Sequence, residues 1–279
     1  MTTVAQDVTV TPRGTVRTRG VSLHLPTSWS RPVAAFLLLI GIWYAVSAVY
    51  AARGLPYFVP YPHKVLTAMT DPTRLQDLLT ALLNSTQVAM TGLAIAIVLG
   101  ISWAVVMSQA PWVERSLFPY AVVLQCIPIL ALVPLIGILF GYNFIARVIV
   151  TVLISLFPMV SMTLFGLQSV ARQQRELFQL QGADRWTLLT KLQFPAALPS
   201  IFVGLRTSAG LSVVGAVVGD QFFQRGNPGL GVLIQVYASR LQGSDLYAAI
   251  IVASLLGVAV FVLFGWLGRL VVGRWYDFA

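Results

Sequence analysis

The chain has 279 residues, of which 57% are apolar and only 10% charged, and its mean hydropathy is +0.82. Soluble proteins carry about 25% charged residues, so this composition excludes a water-soluble domain and requires an integral membrane protein. The formal net charge of +9 is dispersed between apolar runs rather than gathered into a basic stripe, which argues against nucleic acid as a partner.

Residues 1–30 contain Pro12, Gly14, Gly20 and Pro26 and have no apolar period, so a disordered tail is expected ahead of one membrane domain over 31–279. Arg13, Arg17, Arg19 and Arg31 precede the first apolar run, 33–52. Its 20 residues exceed the 7–15 of a signal-peptide core, so it reads as an uncleaved span. A polar excursion over 53–83 carries Pro56, Pro60, Pro62 and Pro72, with a short surface helix expected near Val65 and Met69. The second span, 87–107, holds Gly92 and Gly100, which permit close helix approach.

The third span, 117–140, contains Pro119, Pro128 and Pro134. Proline in a membrane helix frees carbonyls that neighbours or a water-filled cavity must satisfy. A transport pathway explains this, and so does a merely kinked helix. Cys126, the single cysteine, lies in this run and reads as a packing residue, with no disulfide framework. His24 and His63 lack a Glu or His at i+3 or i+4, so no metal site is expected.

The fourth span, 144–166, contains Arg147 and Pro158. The fifth, 199–223, bears Arg206, read as an interfacial anchor, and Asp220 near its far end. The sixth, 247–272, is followed by Arg274 and the interfacial aromatics Trp275 and Tyr276. Six spans place both termini on one side. Basic residues of the tail, the loops and the span ends divide eleven to six in favour of the side holding the N-terminal tail, with Arg147 counted among the six outer ones, so the tail is expected to be cytoplasmic.

Between the fourth and fifth spans lies a polar segment, about 171–198, carrying Glu176, Asp184, Arg185 and Lys191. Gly182 breaks the helical pattern, Asp184 can cap a new helix three residues before Thr187, and Pro195 and Pro199 are expected to stop it. Trp186, Leu188 and Leu189 give that short helix an apolar side.

Glu176, Gly182 six residues on, and Leu192-x-Phe194-Pro195 thirteen residues after the glycine resemble the EAA loop of importer-type ABC transporter permeases. Leu177 and Phe178 stand where that pattern has alanines. The stretch from Cys126 through Pro128 and Pro134, and Gly229-Leu230-Gly231 after Asp220, are similar to family segments in the same order. The chain is most similar to the nitrate, sulfonate and taurine permeases and those for thiamine precursors.

The resemblance implies an all-α integral membrane protein with six transmembrane helices, like a type I ABC importer permease. It implies a coupling loop made by Glu176, Gly182, Ala183, Asp184, Arg185, Trp186, Leu188, Leu189, Leu192 and Pro195. It implies two ABC ATPase subunits that hold the ATP and Mg, an extracytoplasmic substrate-binding protein, and a permease homodimer, with no cofactor in this chain. No phosphate-binding loop occurs in the sequence and no enzymatic constellation is visible, so a transport subunit is expected. Gln87, Gln125, Pro128, Pro134, Ser161, Gln168 and Asp220 are the candidates for the translocation path and gate. The alternative, an ATP-independent secondary transporter or channel, needs intramembrane coupling carboxylates that the sequence does not group.

Overall fold

The computed structural model describes residues 27–273, and all of their regular structure is helical. His24, most of the expected tail and residues 274–276 lie outside the described residues. The first helix, α1 (Thr27–Ala52), starts inside the segment read as tail. A short α2 (Pro62–Thr70) opens on proline, whose missing N–H is harmless at a first helical position.

Asp71 then separates α2 from α3 (Pro72–Ser108). Its carboxylate accepts the Thr73 N–H at 3.1 Å while Pro72 occupies the first turn. The second span therefore belongs to a 37-residue helix that begins well before residue 87. The length rule counts only residues needed to cross, whereas here Leu78 and Ala81 bury an amphipathic extension against Leu230 and Ala249.

The third span is not one helix. α4 (Pro111–Cys126) and α5 (Ile129–Phe140) meet at 96°. Pro128 lacks an N–H and biases the preceding residue toward extended backbone, and Ile127 indeed has ψ 125. Cys126, at the end of α4, is exposed rather than packed.

The chain continues through α6 (Phe144–Gln168), α7 (Arg172–Leu180) and α8 (Arg185–Leu188). A π-helical turn (Leu189–Gln193) leads into α9 (Phe194–Phe222), followed by α10 (Leu230–Ser239) and α11 (Gly243–Val272). Pro195 does not stop the helix. The wider π turn just ahead of it absorbs the missing N–H, so helix runs from Arg185 to Phe222.

Five of these helices are long and apolar enough to cross a membrane, and the bent pair α4–α5 makes up to a sixth. Gly92 packs on Thr151 and Gly100 on Met159, so α3 and α6 run parallel. The chain must therefore return between them, and α4–α5 is the segment that does so. Against α6 the direction of α9 is reversed, with Gly204 beside Met162 and Gly219 beside Arg147.

α9 is the central helix, in contact with α3, α6, α10 and α11. Small residues let it approach closely, as expected where packing rather than water drives association. Two buried hydroxyls along these seams serve their own helix: Thr151 donates to the Arg147 carbonyl at 2.9 Å and Ser155 to that of Thr151 at 2.7 Å. Thr163 Oγ1 and Ser208 Oγ, equally buried on α6 and α9, have no partner among the described residues.

Candidate functional site

At one end of the bundle, α7, Gly182 and α8 form a compact loop. Gly182 has φ +75 with open space around it, a backbone shape that glycine adopts without the Cβ penalty. Asp184 then caps α8, its Oδ1 accepting the Thr187 N–H at 3.1 Å. Hydrogen bonds from the Thr187 side chain and backbone hold the Asp184 carboxyl below its usual range, so the cap stays ionised at neutral pH.

The loop is fastened to the bundle. Arg175 Nη2 donates to the carbonyls of Leu167 and Gln168 at 3.2 Å each, closing the end of α6. Gln168 Nε2 donates to Glu114 on α4 at 2.7 Å. Glu176, by contrast, accepts from Arg172 at 2.7 Å on an exposed face, where an ion pair contributes little.

Of the apolar side expected from Trp186, Leu188 and Leu189, only Trp186 protrudes. Leu189 is only 4% exposed and packs with Ala104, Leu156 and Leu164, because the π turn carries it into the bundle. Leu188, Ala183, Leu192 and Pro195 are half-buried, and Arg185 is exposed. The protruding apolar groups are Leu180 at 86% exposure, Trp186 at 68% and Leu177 at 54%. Leu177 and Leu180 share a face by their i, i+3 spacing on a helix otherwise made of Arg, Gln, Glu and Phe, a signal present in the sequence.

The residues read as path candidates are not gathered into one place. Gln87 is exposed on α3, Gln125 lies in the last turn of α4, Pro128 stands at the α4–α5 break and Pro134 lies in α5. Ser161 donates to the Pro158 carbonyl of its own helix at 3.3 Å. Gln168 belongs to the loop end of the bundle and Asp220 to the other.

At that other end, Asp220, a gate candidate near the far end of the fifth span, is fully buried in the last turn of α9. Arg147, counted above with the outer loops, is 2% exposed and pairs with it, Nη1 to Oδ1 at 3.2 Å. The same guanidinium donates to the carbonyls of Phe223 at 2.7 Å, Asn227 at 2.8 Å and Arg225 at 3.0 Å. Ser85 of α3 donates to Asp220 Oδ2 at 2.5 Å and accepts the Leu230 N–H at 2.8 Å.

One buried cation thus folds the loop after α9 around itself, and its anion ties in α3. A side chain at Gly229 would strike Asp220, and one at Gly231 would strike the Val217 carbonyl. That close approach explains Gly229-Leu230-Gly231, with Leu230 fully buried between. Sequence reasoning placed Asp220 and the glycines but missed Arg147, whose partner lies 73 residues away.

Comparison with known proteins adds independent findings. Residues 96–275 match the family described as binding-protein-dependent transport system inner membrane component. The chain is 36% identical to the formylaminopyrimidine transport permease protein of Halalkalibacterium halodurans, over 82% of this chain and 90% of that one. It is 37% identical to the riboflavin transport system permease protein of Chloroflexus aurantiacus, over 59% of this chain and 60% of that one. It is 30% identical to the putative aliphatic sulfonates transport permease protein of Escherichia coli, over 81% and 88% respectively.

Proposed function

Because the chain belongs to the family of binding-protein-dependent transport system inner membrane components, we propose that it is the permease subunit of an ATP-driven importer whose hydrolysis occurs on a separate ATPase. The observation that carries this reading is the loop at Arg172–Leu188: an exposed apolar patch of Leu177, Leu180 and Trp186 on a segment held by Arg175 and Asp184. Exposed apolar groups on a rigid mount are what a partner's groove can push against, because packed surfaces transmit displacement.

In this reading the loop end is cytoplasmic, as are both termini, and two ATPase subunits grip the patch. ATP and Mg reside on those subunits. A substrate-binding protein delivers the solute at the Asp220 end. Two copies of the permease pair to enclose the path; Leu135, Ile138 and Leu139 stand exposed on α5, which packs chiefly on α6 and so has a face to spare for a second copy.

The substrate we propose is a small nitrogen heterocycle. The pyrimidine and flavin permeases are more similar in identity than the sulfonate permease. Composition of the chain does not select among them, since delivery by a binding protein settles much of the choice elsewhere.

The test is ATP-dependent uptake of formylaminopyrimidine, riboflavin and an alkyl sulfonate into vesicles holding the permease with its ATPase and binding protein, for the native chain, Gly182→Asp and Trp186→Ala. Uptake of a heterocycle that needs ATP and is lost in both variants, with insertion unchanged, supports the reading. Uptake that ignores ATP and tolerates both changes overturns it in favour of a gradient-driven transporter.

A further inference from the structure

α9 and α11 pack antiparallel, and one seam between them is open along much of its length. Near the coupling-loop end it widens into a cleft of about 350 Å³ that carries two guanidiniums, Arg206 on α9 and Arg269 on α11. No acidic residue lines this cleft, and among the described residues neither guanidinium has an ion pair or a hydrogen bond. Arg206 instead holds its Cζ over the Phe261 ring, 4.0 Å from the centroid. Gly265 leaves it the room, since a Cβ there would come within 3.2 Å of Nε.

Arg206 is therefore not a simple end-of-helix anchor. It sits twelve residues beyond the start of α9, level with Gly265, one helical turn or about 6 Å deeper than Arg269. A cation at that depth is costly unless something meets it, and two together ask for an anion.

Toward the other end of the bundle the same seam becomes a second groove of about 490 Å³, walled by Gly210 and Val214 of α9 and Ser254, Gly257 and Val258 of α11. It is almost wholly apolar. On α9 the positions 203, 206, 210, 214 and 217 form one stripe, and on α11 the positions 269, 265, 261, 258 and 254 form the facing one. Phe261 stands at the junction, under Arg206 and in the wall of the apolar groove.

The seam thus has a doubly cationic head and an apolar tail, placed with the head toward the membrane surface. We propose that it binds one anionic phospholipid, its headgroup phosphate between Arg206 and Arg269 and an acyl chain along Gly210 and Val258. A free phosphate would use the head and ignore the groove. A second copy of the chain would cover the groove, an outcome that the Val258→Trp variant below tests.

The experiment uses the purified full-length permease, delipidated in detergent. It is titrated with phosphatidylglycerol, phosphatidylcholine of the same chains, or inorganic phosphate. Retention is read by native mass spectrometry and stability by thermal melting. Phosphatidylglycerol is expected to be retained and to raise Tm, and phosphatidylcholine to be retained at least tenfold less. Arg206→Gln with Arg269→Gln should lower phosphatidylglycerol retention at least tenfold. Val258→Trp, which fills the groove from an exposed position and keeps both arginines, should lower it comparably.

Equal retention by the native chain and the double variant overturns the proposal, as does protection by inorganic phosphate equal to that by the lipid. So does a shift from dimer to monomer on Val258→Trp, which would assign the groove to a second copy. Arg206→Lys keeps the charge without the planar fork; intermediate retention in that variant separates a charge site from a misfolded one.

Discussion

Arg147 Nη1 lies 3.2 Å from Asp220 Oδ1 with both side chains almost fully buried, so the first turn of α6 is fastened to the last turn of α9 across 73 residues of sequence. Removing one member of such a pair strands the other charge. Arg147→Gln is expected to cost about 3–5 kcal/mol, because Asp220 and the carbonyls of Phe223, Arg225 and Asn227 lose their shared donor. Asp220→Asn should cost less, since the guanidinium keeps its carbonyls. Thermal melting of the two variants in the same detergent checks the order; an Asp220→Asn melt below that of Arg147→Gln would refute it.

The Arg172–Leu188 loop, proposed above to couple to an ATPase, separates surface from support by residue. Trp186→Ala, at 68% exposure, is expected to leave the permease's own stability within about 0.5 kcal/mol while weakening its capture of the ATPase. Leu189→Ala, buried beside Leu156 and Leu164, should do the reverse and cost about 2–5 kcal/mol. Melting of the free subunit together with co-purification of the ATPase distinguishes them. Similar behaviour of the two variants in both assays would show that the loop is not organised this way.

Gly182 makes a purely backbone prediction, because its φ of +75 is unfavourable to side chains while nothing stands within 4 Å of an added Cβ. Gly182→Ala should therefore destabilise the loop by about 1 kcal/mol through strain alone. Gly182→Asn should cost less, as asparagine tolerates the left-handed region better. Proteolysis at the loop, compared across the three chains, reads this local opening; equal rates would place the strain elsewhere.

The parts of this architecture that were legible in the sequence are those written locally. Runs of apolar residues announce the spans, and Asp184 with Thr187 announces a cap three residues apart. The parts that were not legible depend on distant partners. Nothing near Arg147 announces Asp220, and nothing near Leu189 says that a π turn will rotate it inward while Leu180 stays out. The break at Pro128 lies between these cases: the proline is visible, but the same residue type at Pro134 and Pro158 leaves the helix running. Only the parallel packing of α3 and α6, a tertiary fact, requires the chain to turn back between them.

Thr151 is wedged between two helices through different atoms, which yields a test that a general packing defect would fail. A Cβ on Gly92 of α3 would strike the Thr151 side chain, whereas one on Gly215 of α9 would come within 2.7 Å of its Cα. Either Gly→Ala change overpacks the seam and should cost about 1–3 kcal/mol. Thr151→Gly removes the side chain but not the backbone, so it should relieve Gly92→Ala and leave the cost of Gly215→Ala standing. In double-mutant cycles this predicts a favourable coupling of about 1 kcal/mol for the Gly92 pair and close to none for the Gly215 pair. Equal couplings would mean that the two helices meet α6 through the same atoms, contrary to the packing described.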